Sequence, residues 1–539
     1  MTNAHKATWS ARLLIIVAAI VVFFPAFTAE ILDWDDQEFL VLNPLTERLD
    51  GHRLAAAFTS FQAAYYAPLV FAGFAIERSL WELDPFGYHA INVALHVIAS
   101  LLALDLLRRL GIPLRIATLG ALAWAIHPLR VESVIWITER KDCLSAPFIL
   151  GGMILYLALE GRHPAARLGT AWICQLLSLL AKGTAVVFPL LLLLLDWQRE
   201  GRITRKAVIE KVPFFALSSA FAGVTLLAQH GGGVLGYAKH GAMERVFIFF
   251  YAGWFQLSKF FLPVSLSAVY SLPEPVRMTN PDYLLGMAGV ALVAAGMWRS
   301  RNRAPELAWG MLFWIAAILP VSQVLLLPIP LADRYVYLPS FGMIFGLCAT
   351  ARDWIARTGS REAERRRLNR LTLIAAVVIA VLGMAANSRA KVWRNDWALW
   401  DDAVRKQPVH LTALLNYGRL FAVETGDEET AVQYYRRALA AHPDSALALE
   451  RMGNYHNRRK EYAKALEYYN RAVKADPGTP RIRCAAAACL EATGQIGEAL
   501  KQYEETIRLA GDSPEHDEVR KSAVEGRERC VRKAGNMGR

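Results

Sequence analysis

Residues 371–386 read LTLIAAVVIAVLGMAA, an uncharged stretch preceded by Arg361, Arg365, Arg366, Arg367 and Arg370 and followed by an abrupt change of composition. A hydrocarbon core about 30 Å thick is crossed by roughly 20 apolar residues, and a run of this kind flanked by cations is a membrane span. Similar windows recur on its N-terminal side, such as LLIIVAAIVVFF at 13–24, and none follows it. The stretch therefore closes a membrane domain, expected over 1–387, and opens a second domain over 388–539.

The chain has 539 residues, of which 54% are hydrophobic and 20% charged, and its mean hydropathy is +0.25. That balance excludes a soluble enzyme of this length. Apolar windows at 12–29, 88–107, 115–127, 143–159, 169–181, 183–196, 213–229, 283–298, 307–327, 335–351 and 371–386 predict about eleven spans. The first follows Lys6 and Arg12 and ends in a weak cleavage pattern, so it reads as a retained anchor. With the N-terminus inside, the inner segments hold 22 Lys and Arg in 72 residues and the outer ones 12 in 135. The positive-inside rule thus accounts for the net charge of +12 without nucleic acid. Two further apolar but charge-interrupted stretches, 61–81 and 245–263, are expected to lie as helices in the outer interface. The six cysteines show neither a zinc spacing nor a disulfide framework.

Beyond Ala386 a period emerges. Ala431, Ala465 and Ala499 lie 34 residues apart, as do Tyr435, Tyr469 and Tyr503, and Pro443 and Pro477 repeat the interval. Small residues where two helices touch, an aromatic four further on and a closing proline are the tetratricopeptide signature. The units are placed near 412–445, 446–479 and 480–513, the last of them degenerate, with WRNDWALWDDAVRKQP at 393–408 as a half unit before them. The predicted fold class is all-α: a polytopic membrane bundle followed by an α-solenoid.

Four polar clusters interrupt the apolar sequence: ILDWDDQEFLVLN at 31–43, HPLRVESVIWITERKD at 127–142, AKGT at 181–184 and ADRYVYLPS at 332–340. The span assignment puts all four on the outer face. Charge at membrane depth is costly and persists in a cavity, a pair or a site. Here Asp33, Asp35, Asp36 and Glu132 are acidic, while Arg130, Arg140, Lys141, Lys182 and Arg334 are basic. A carboxylate beside cations suits a reaction in which an acceptor hydroxyl loses its proton while an anionic phosphate leaves. At a membrane surface that phosphate belongs to a lipid. His89, Asn92 and His96, at helical spacing, read as a polar seam rather than a metal site.

Together these motifs resemble the transmembrane and tetratricopeptide repeat-containing, protein O-mannosyltransferase-like family of the GT-C glycosyltransferase superfamily, over nearly the whole chain. The resemblance implies an inverting enzyme that passes a sugar, mannose in the named family, from a polyprenyl phosphate to a protein hydroxyl on the periplasmic or lumenal side. It implies a catalytic acidic pair in the first outer loop, Asp35 and Asp36, with Glu132 as a further acid. Asp33, His127 and Asp142 would support them, and Arg140, Lys182 and Arg334 would hold the donor phosphate. The chain departs from the pattern at Ala181-Lys182-Gly183, where relatives carry an acid after the lysine. Clustered aspartates are compatible with a divalent metal on Asp35 and Asp36 or with none, and no other cofactor is implied. The repeats suit a peptide acceptor or a partner subunit. The alanine and arginine bias suggests a bacterial inner membrane. The competing readings are a lipid-linked polysaccharide ligase or polymerase and a non-catalytic membrane scaffold.

Overall fold

The computed structural model describes residues 3–537 apart from 63, 162, 232–239, 324–328, 358–359 and 512–515. It divides into two compact units, Met1–Leu399 and Trp400–Arg539, and the described residues contain helices but no strand. The division falls inside a helix.

The first unit begins with α1 (Asn3–Val22), α2 (Gly51–Thr59), α3 (Pro68–Trp81), α4 (Pro85–Arg109) and α5 (Leu114–Ala125). It continues through α6 (Val131–Ile135), α7 (Arg140–Ala158), α8 (Pro164–Ala181), α9 (Phe188–Glu200) and α10 (Arg205–Gly231). It ends with α11 (Ala242–Phe261), α12 (Pro281–Ser300), α13 (Pro305–Ile318), α14 (Pro339–Ala356) and α15 (Arg361–Val392), and α16 (Asp396–Lys406) carries the division. Each of the eleven expected windows meets a helix, although the end of the one at 307–327 lies outside the described residues. Among the described residues, six helical stretches are long and apolar enough to cross a membrane unaided: His5–Val22, Pro85–Arg109, Ile137–Ala158, Arg205–His230, Pro281–Ser300 and Arg361–Val392. The stretches expected in the interface form α3 and α11, each with one face buried.

The shorter helices explain how polar residues reach the bundle. At 1.5 Å per residue, α5 is about 18 Å long, well short of a bilayer core. Its chain continues as buried irregular backbone, with a 3-10 turn at Pro128–Arg130, α6 and a second turn at Ile137–Glu139. Likewise 3-10 turns at Gly183–Val187 and Asp333–Val336 precede α9 and α14. Non-helical backbone is tolerated at such depth where protein covers it or a cavity opens beside it. These interruptions carry three of the four polar clusters.

The bundle therefore has two charged ends. At one, Arg12 pairs with Asp105 at 2.9 Å, Arg352 with Glu306 at 2.9 Å, and Arg115 donates to Asn369 at 3.1 Å. At the other, Asn92 donates to the Trp136 carbonyl at 3.3 Å. Asn92 and Asp105 both lie on α4, about 20 Å apart along its axis.

In the second unit, α17 (Leu411–Leu420) pairs with α18 (Glu428–Ala441), α19 (Ala446–Arg458) with α20 (Tyr462–Ala475), and α21 (Pro480–Ala492) with α22 (Ile496–Ala510), before a final α23 (Asp517–Met537). Gly418 and Gly453 exist because the tyrosine of each second helix presses on them: a Cβ would meet the Tyr435 ring at 2.8 Å and the Tyr469 ring at 2.5 Å. The glycines are 35 residues apart and the tyrosines 34. A π-helical turn at Phe421–Thr425 takes up the extra residue in the first pair. The end of the third expected unit lies outside the described residues.

Candidate active site

The first outer loop separates the two aspartates by one step of backbone. Asp36 precedes a π-helical turn at Gln37–Val41 and is buried. One of its oxygens accepts from the Leu32 N–H at 3.2 Å; the other accepts from the Thr138 N–H at 2.9 Å and from the Thr138 hydroxyl. It thus ties the loop to the turn before α7. Burial pushes its pKa up to about 7 against those three hydrogen bonds. Asp35 is half-buried and makes no hydrogen bond or ion pair among the described residues. Burial raises its pKa, opposed by the nearby Lys141 and Arg334. The backbone N–H of Asp33 donates to Asp396 at 2.9 Å, and the neighbouring Trp34 stacks on Trp136 with centroids 4.4 Å apart.

Beside Asp35 lies a continuous network. Arg334, in the turn before α14, pairs with Glu132 through its guanidinium, and its backbone N–H donates to the same carboxylate at 3.0 Å. Its Nε lies 3.4 Å from Glu139. Glu139 also meets Lys141 at 3.2 Å and Lys182 at 3.4 Å, so one carboxylate bridges three cations. Lys182 reaches Asp142 at 2.7 Å, and Ser133 donates to that acid at 3.0 Å. Burial pushes Glu132 up to about 7 against the pull of Arg334. For Lys182, Asp142 and Glu139 outweigh burial and raise the pKa.

The network forms the wall of a cleft. Asp142, Lys182, Arg334 and Tyr335 line its polar side; Ile149, Ala317, Val321 and Leu338 line its apolar side. Such a cleft suits an amphiphile with an anionic head, the guanidinium and ammonium groups lying where the head ends and the tail begins.

Of the residues singled out in the sequence, the structure brings together Asp35, Glu132, Asp142, Lys182 and Arg334, with Asp36 and His127 outside the network. His127 accepts the Leu129 N–H at 3.2 Å on Nδ1 and meets the Phe260 carbonyl at 3.0 Å through Nε2. Arg140 is placed elsewhere. It lies buried among α3, α4 and α7, pairs with Glu77, and donates to Asn92 at 2.6 Å and to the Tyr88 carbonyl at 2.8 Å. Its neighbour Lys141 faces the site instead, with the rings of Phe39 and Tyr65 at 4.8 and 4.5 Å. Arg130 donates to Ser340 at 2.6 Å between the rings of Trp124 and Tyr337. Asn92 and His96 are hydrogen-bonded in a seam, His96 to Tyr337 at 2.6 Å and to the Ala125 carbonyl at 2.7 Å.

Sequence reasoning missed Glu139, the hub. A signal existed: Glu139 and Asp142 are three apart where a helix begins, hence on one face, where a single lysine can meet both. The side chains present do not form a metal cage. Both Asp36 oxygens are taken by N–H and O–H donors, and no group of three His, Cys, Asp or Glu able to hold an ion exists among the described residues.

A helical membrane bundle with a carboxylate–cation cleft, continued by a helical-pair solenoid, is the class these features define. Comparison with known proteins narrows it. Tetratricopeptide-repeat profiles match residues 398–446, 422–480 and 457–521. The chain is 24% identical over 512 residues to human protein O-mannosyl-transferase TMTC4, covering 79% of this chain and 65% of the relative. It is 23% identical to Drosophila melanogaster protein O-mannosyl-transferase Tmtc3, covering 76% of this chain and 52% of the relative. Human protein O-mannosyl-transferase TMTC1 is also 23% identical, with 72% and 49% covered. The chain thus spans about half to two-thirds of the length of these relatives. Among solved structures, the Archaeoglobus fulgidus oligosaccharyltransferase aligns with a TM-score of 0.41 and 14% identity over 79% of this chain and 58% of its own. The chain is thus similar, at 23–24% identity, to protein O-mannosyl-transferases of the transmembrane and tetratricopeptide repeat-containing kind that its motifs resemble.

Proposed function

We propose that this protein is an integral-membrane, inverting glycosyltransferase that moves a sugar, mannose by analogy with its relatives, from a polyprenyl phosphate to a protein hydroxyl. The observation that carries the reading is the placement of Asp35: a half-buried carboxylate with no hydrogen bond or ion pair among the described residues, near Lys141 and Arg334, two of the three cations that converge on one bridging acid. Asp35 accepts the proton of the acceptor hydroxyl as the acceptor oxygen attacks the anomeric carbon. The bond from that carbon to the phosphate oxygen breaks, and the bonding pair leaves with the polyprenyl phosphate. Arg334 and Lys182 hold the growing negative charge, taking up contacts they otherwise make with Glu139. The lipid tail follows the apolar wall at Ile149, Ala317, Val321 and Leu338. Asp36 does no chemistry; it holds the loop so that Asp35 stays beside Lys141 and Arg334.

The positive-inside asymmetry orients the cleft toward the periplasm or lumen, with the N-terminus cytoplasmic and a bacterial inner membrane as the setting. The repeats recruit the protein acceptor. Intact masses of envelope proteins from cells with and without this protein test the reading. Hexose-sized mass losses confined to particular proteins are expected in its absence, and identical mass profiles would contradict the proposal.

A further inference from the structure

Two cavities adjoin at the end of the bundle that holds Arg12, Asp105 and Arg352. One, of about 500 Å³, is walled by Leu110, Leu157, Gln198 and Arg199; the other, of about 340 Å³, by Leu102, Arg108 and Ile154; Arg109 lines both. Their walls carry four cations, Arg12, Arg108, Arg109 and Arg199, against two acids, Asp105 and Glu160. Both acids are engaged: Asp105 holds Arg12 at 2.9 Å, and Glu160 pairs with Arg199. Arg108 and Arg109 are the surplus. Arg108 donates to the Ile112 carbonyl at 2.9 Å, and Arg109 makes no hydrogen bond or ion pair among the described residues. Neither is needed to cap the last turn of α4. Gly111, at φ +83°, closes that helix so that Leu110 donates to Leu106 at 2.9 Å, Gly111 to Arg108 at 3.1 Å and Ile112 to Leu107 at 3.1 Å, satisfying these carbonyls with backbone N–H groups. The exposed Trp9 on α1 and Trp354 on α14 mark this end as lying at the level of the lipid headgroups. From Arg109, Leu102 and the exposed Ile98 continue one stripe of α4 at helical spacing toward the bilayer interior.

We propose that the paired cavities bind the headgroup of an anionic glycerophospholipid with two phosphodiesters, one in each cavity, with Arg109 between them and Arg108 on the smaller side. Two phosphodiesters carry two negative charges and so match the two uncompensated arginines; a headgroup with one leaves a guanidinium unanswered. The acyl chains leave over Leu102, Ile154 and Leu157, which a free phosphate cannot use. The inference needs only that the bundle spans a bilayer and is independent of the transferase reading.

Native mass spectrometry of the full chain, stripped of lipid in detergent, tests this with four probes: diphosphatidylglycerol, phosphatidylglycerol, phosphatidylcholine and inorganic pyrophosphate. Diphosphatidylglycerol should bind about fivefold more tightly than phosphatidylglycerol, with phosphatidylcholine and pyrophosphate weaker still. Arg109→Gln should weaken diphosphatidylglycerol binding about fivefold, and Arg108→Gln with Arg109→Gln about thirtyfold. Arg109 is exposed, so the single variant should keep the lipid-free melting temperature. Arg202→Gln with Arg205→Gln removes the same charge at the turn between α9 and α10 and should leave the affinity unchanged. Equal affinity for the one- and two-phosphodiester lipids, pyrophosphate binding as tightly as lipid, or unchanged affinity in folded Arg109→Gln would overturn the proposal. So would an equal loss from the Arg202 and Arg205 pair, which would make the attraction one of surface charge alone.

Discussion

The two ends of the membrane bundle hold their charges in different arrangements. At the end holding Arg12, Asp105, Arg352 and Glu306, the ion pairs are partly exposed, as with Arg12 and Asp105 at 32% and 34%, and Arg352 meets both Glu306 and Asp353. At the end holding Arg334, the groups are buried, Glu139 is shared by three cations, and Asp35 makes no hydrogen bond or ion pair among the described residues. Partly exposed pairing at a surface is what loop packing requires. Shared and unfilled pairing inside low-polarity surroundings is what a ligand completes, because an anion can replace the bridging acid and a proton can go to the unpaired one.

Substitutions across the two ends should break or sharpen that contrast. The largest effect is expected for Arg334→Ala, which leaves Glu132 buried and uncompensated. The melting profile of the purified protein should report a loss of about 3–5 kcal/mol, and transfer from a polyprenyl-phosphate donor should disappear. Arg140→Ala strands Glu77 and should destabilise almost as much, about 3 kcal/mol. Protein that does fold should keep its wild-type KM for the donor, since Arg140 lies outside the cleft. Asp36→Asn replaces an acceptor of three hydrogen bonds with a group that offers an N–H to donors, costing about 1–3 kcal/mol.

That variant also carries the pH test. Asp36 sits near 7 in the fold against an ordinary 3.8, so the folded state holds a proton that the unfolded chain releases. Its stabilising contribution is complete below about pH 4 and is lost as pH rises through about 7. The wild type should melt lower at pH 8 than at pH 6, with a smaller difference in Asp36→Asn; a melting point that rises with pH in both would contradict the assignment. The smallest effect belongs to the other end. Arg12→Ala removes a partly exposed pair and should shift stability by no more than about 1 kcal/mol, with transfer unchanged.

The helical spans, the 34-residue period and the gathering of all four polar clusters at one end were legible in the sequence, because hydropathy, charge asymmetry and repeat spacing are local properties. Which member of an adjacent pair stands beside the Glu139 network was not. Asp35 and Asp36 differ by one backbone step at the entry to a π-helical turn, and Arg140 and Lys141 by about 100° at the start of α7, so each pair diverges into different surroundings. Neither direction follows from composition. The extra residue in the first repeat was hidden because the alanine and tyrosine marks all lie after the turn at Phe421–Thr425.

The most direct test of the account is single-turnover transfer by Asp35→Asn in lipid nanodiscs, using polyprenyl-phosphate-linked mannose and an acceptor peptide, with Asp36→Asn alongside. Loss of a general base predicts a rate lower by about 10²–10⁴-fold for Asp35→Asn with an unaltered melting temperature. Asp36→Asn should instead lose stability first and retain transfer in its folded fraction. A folded Asp35→Asn protein that transfers at the wild-type rate would contradict the account.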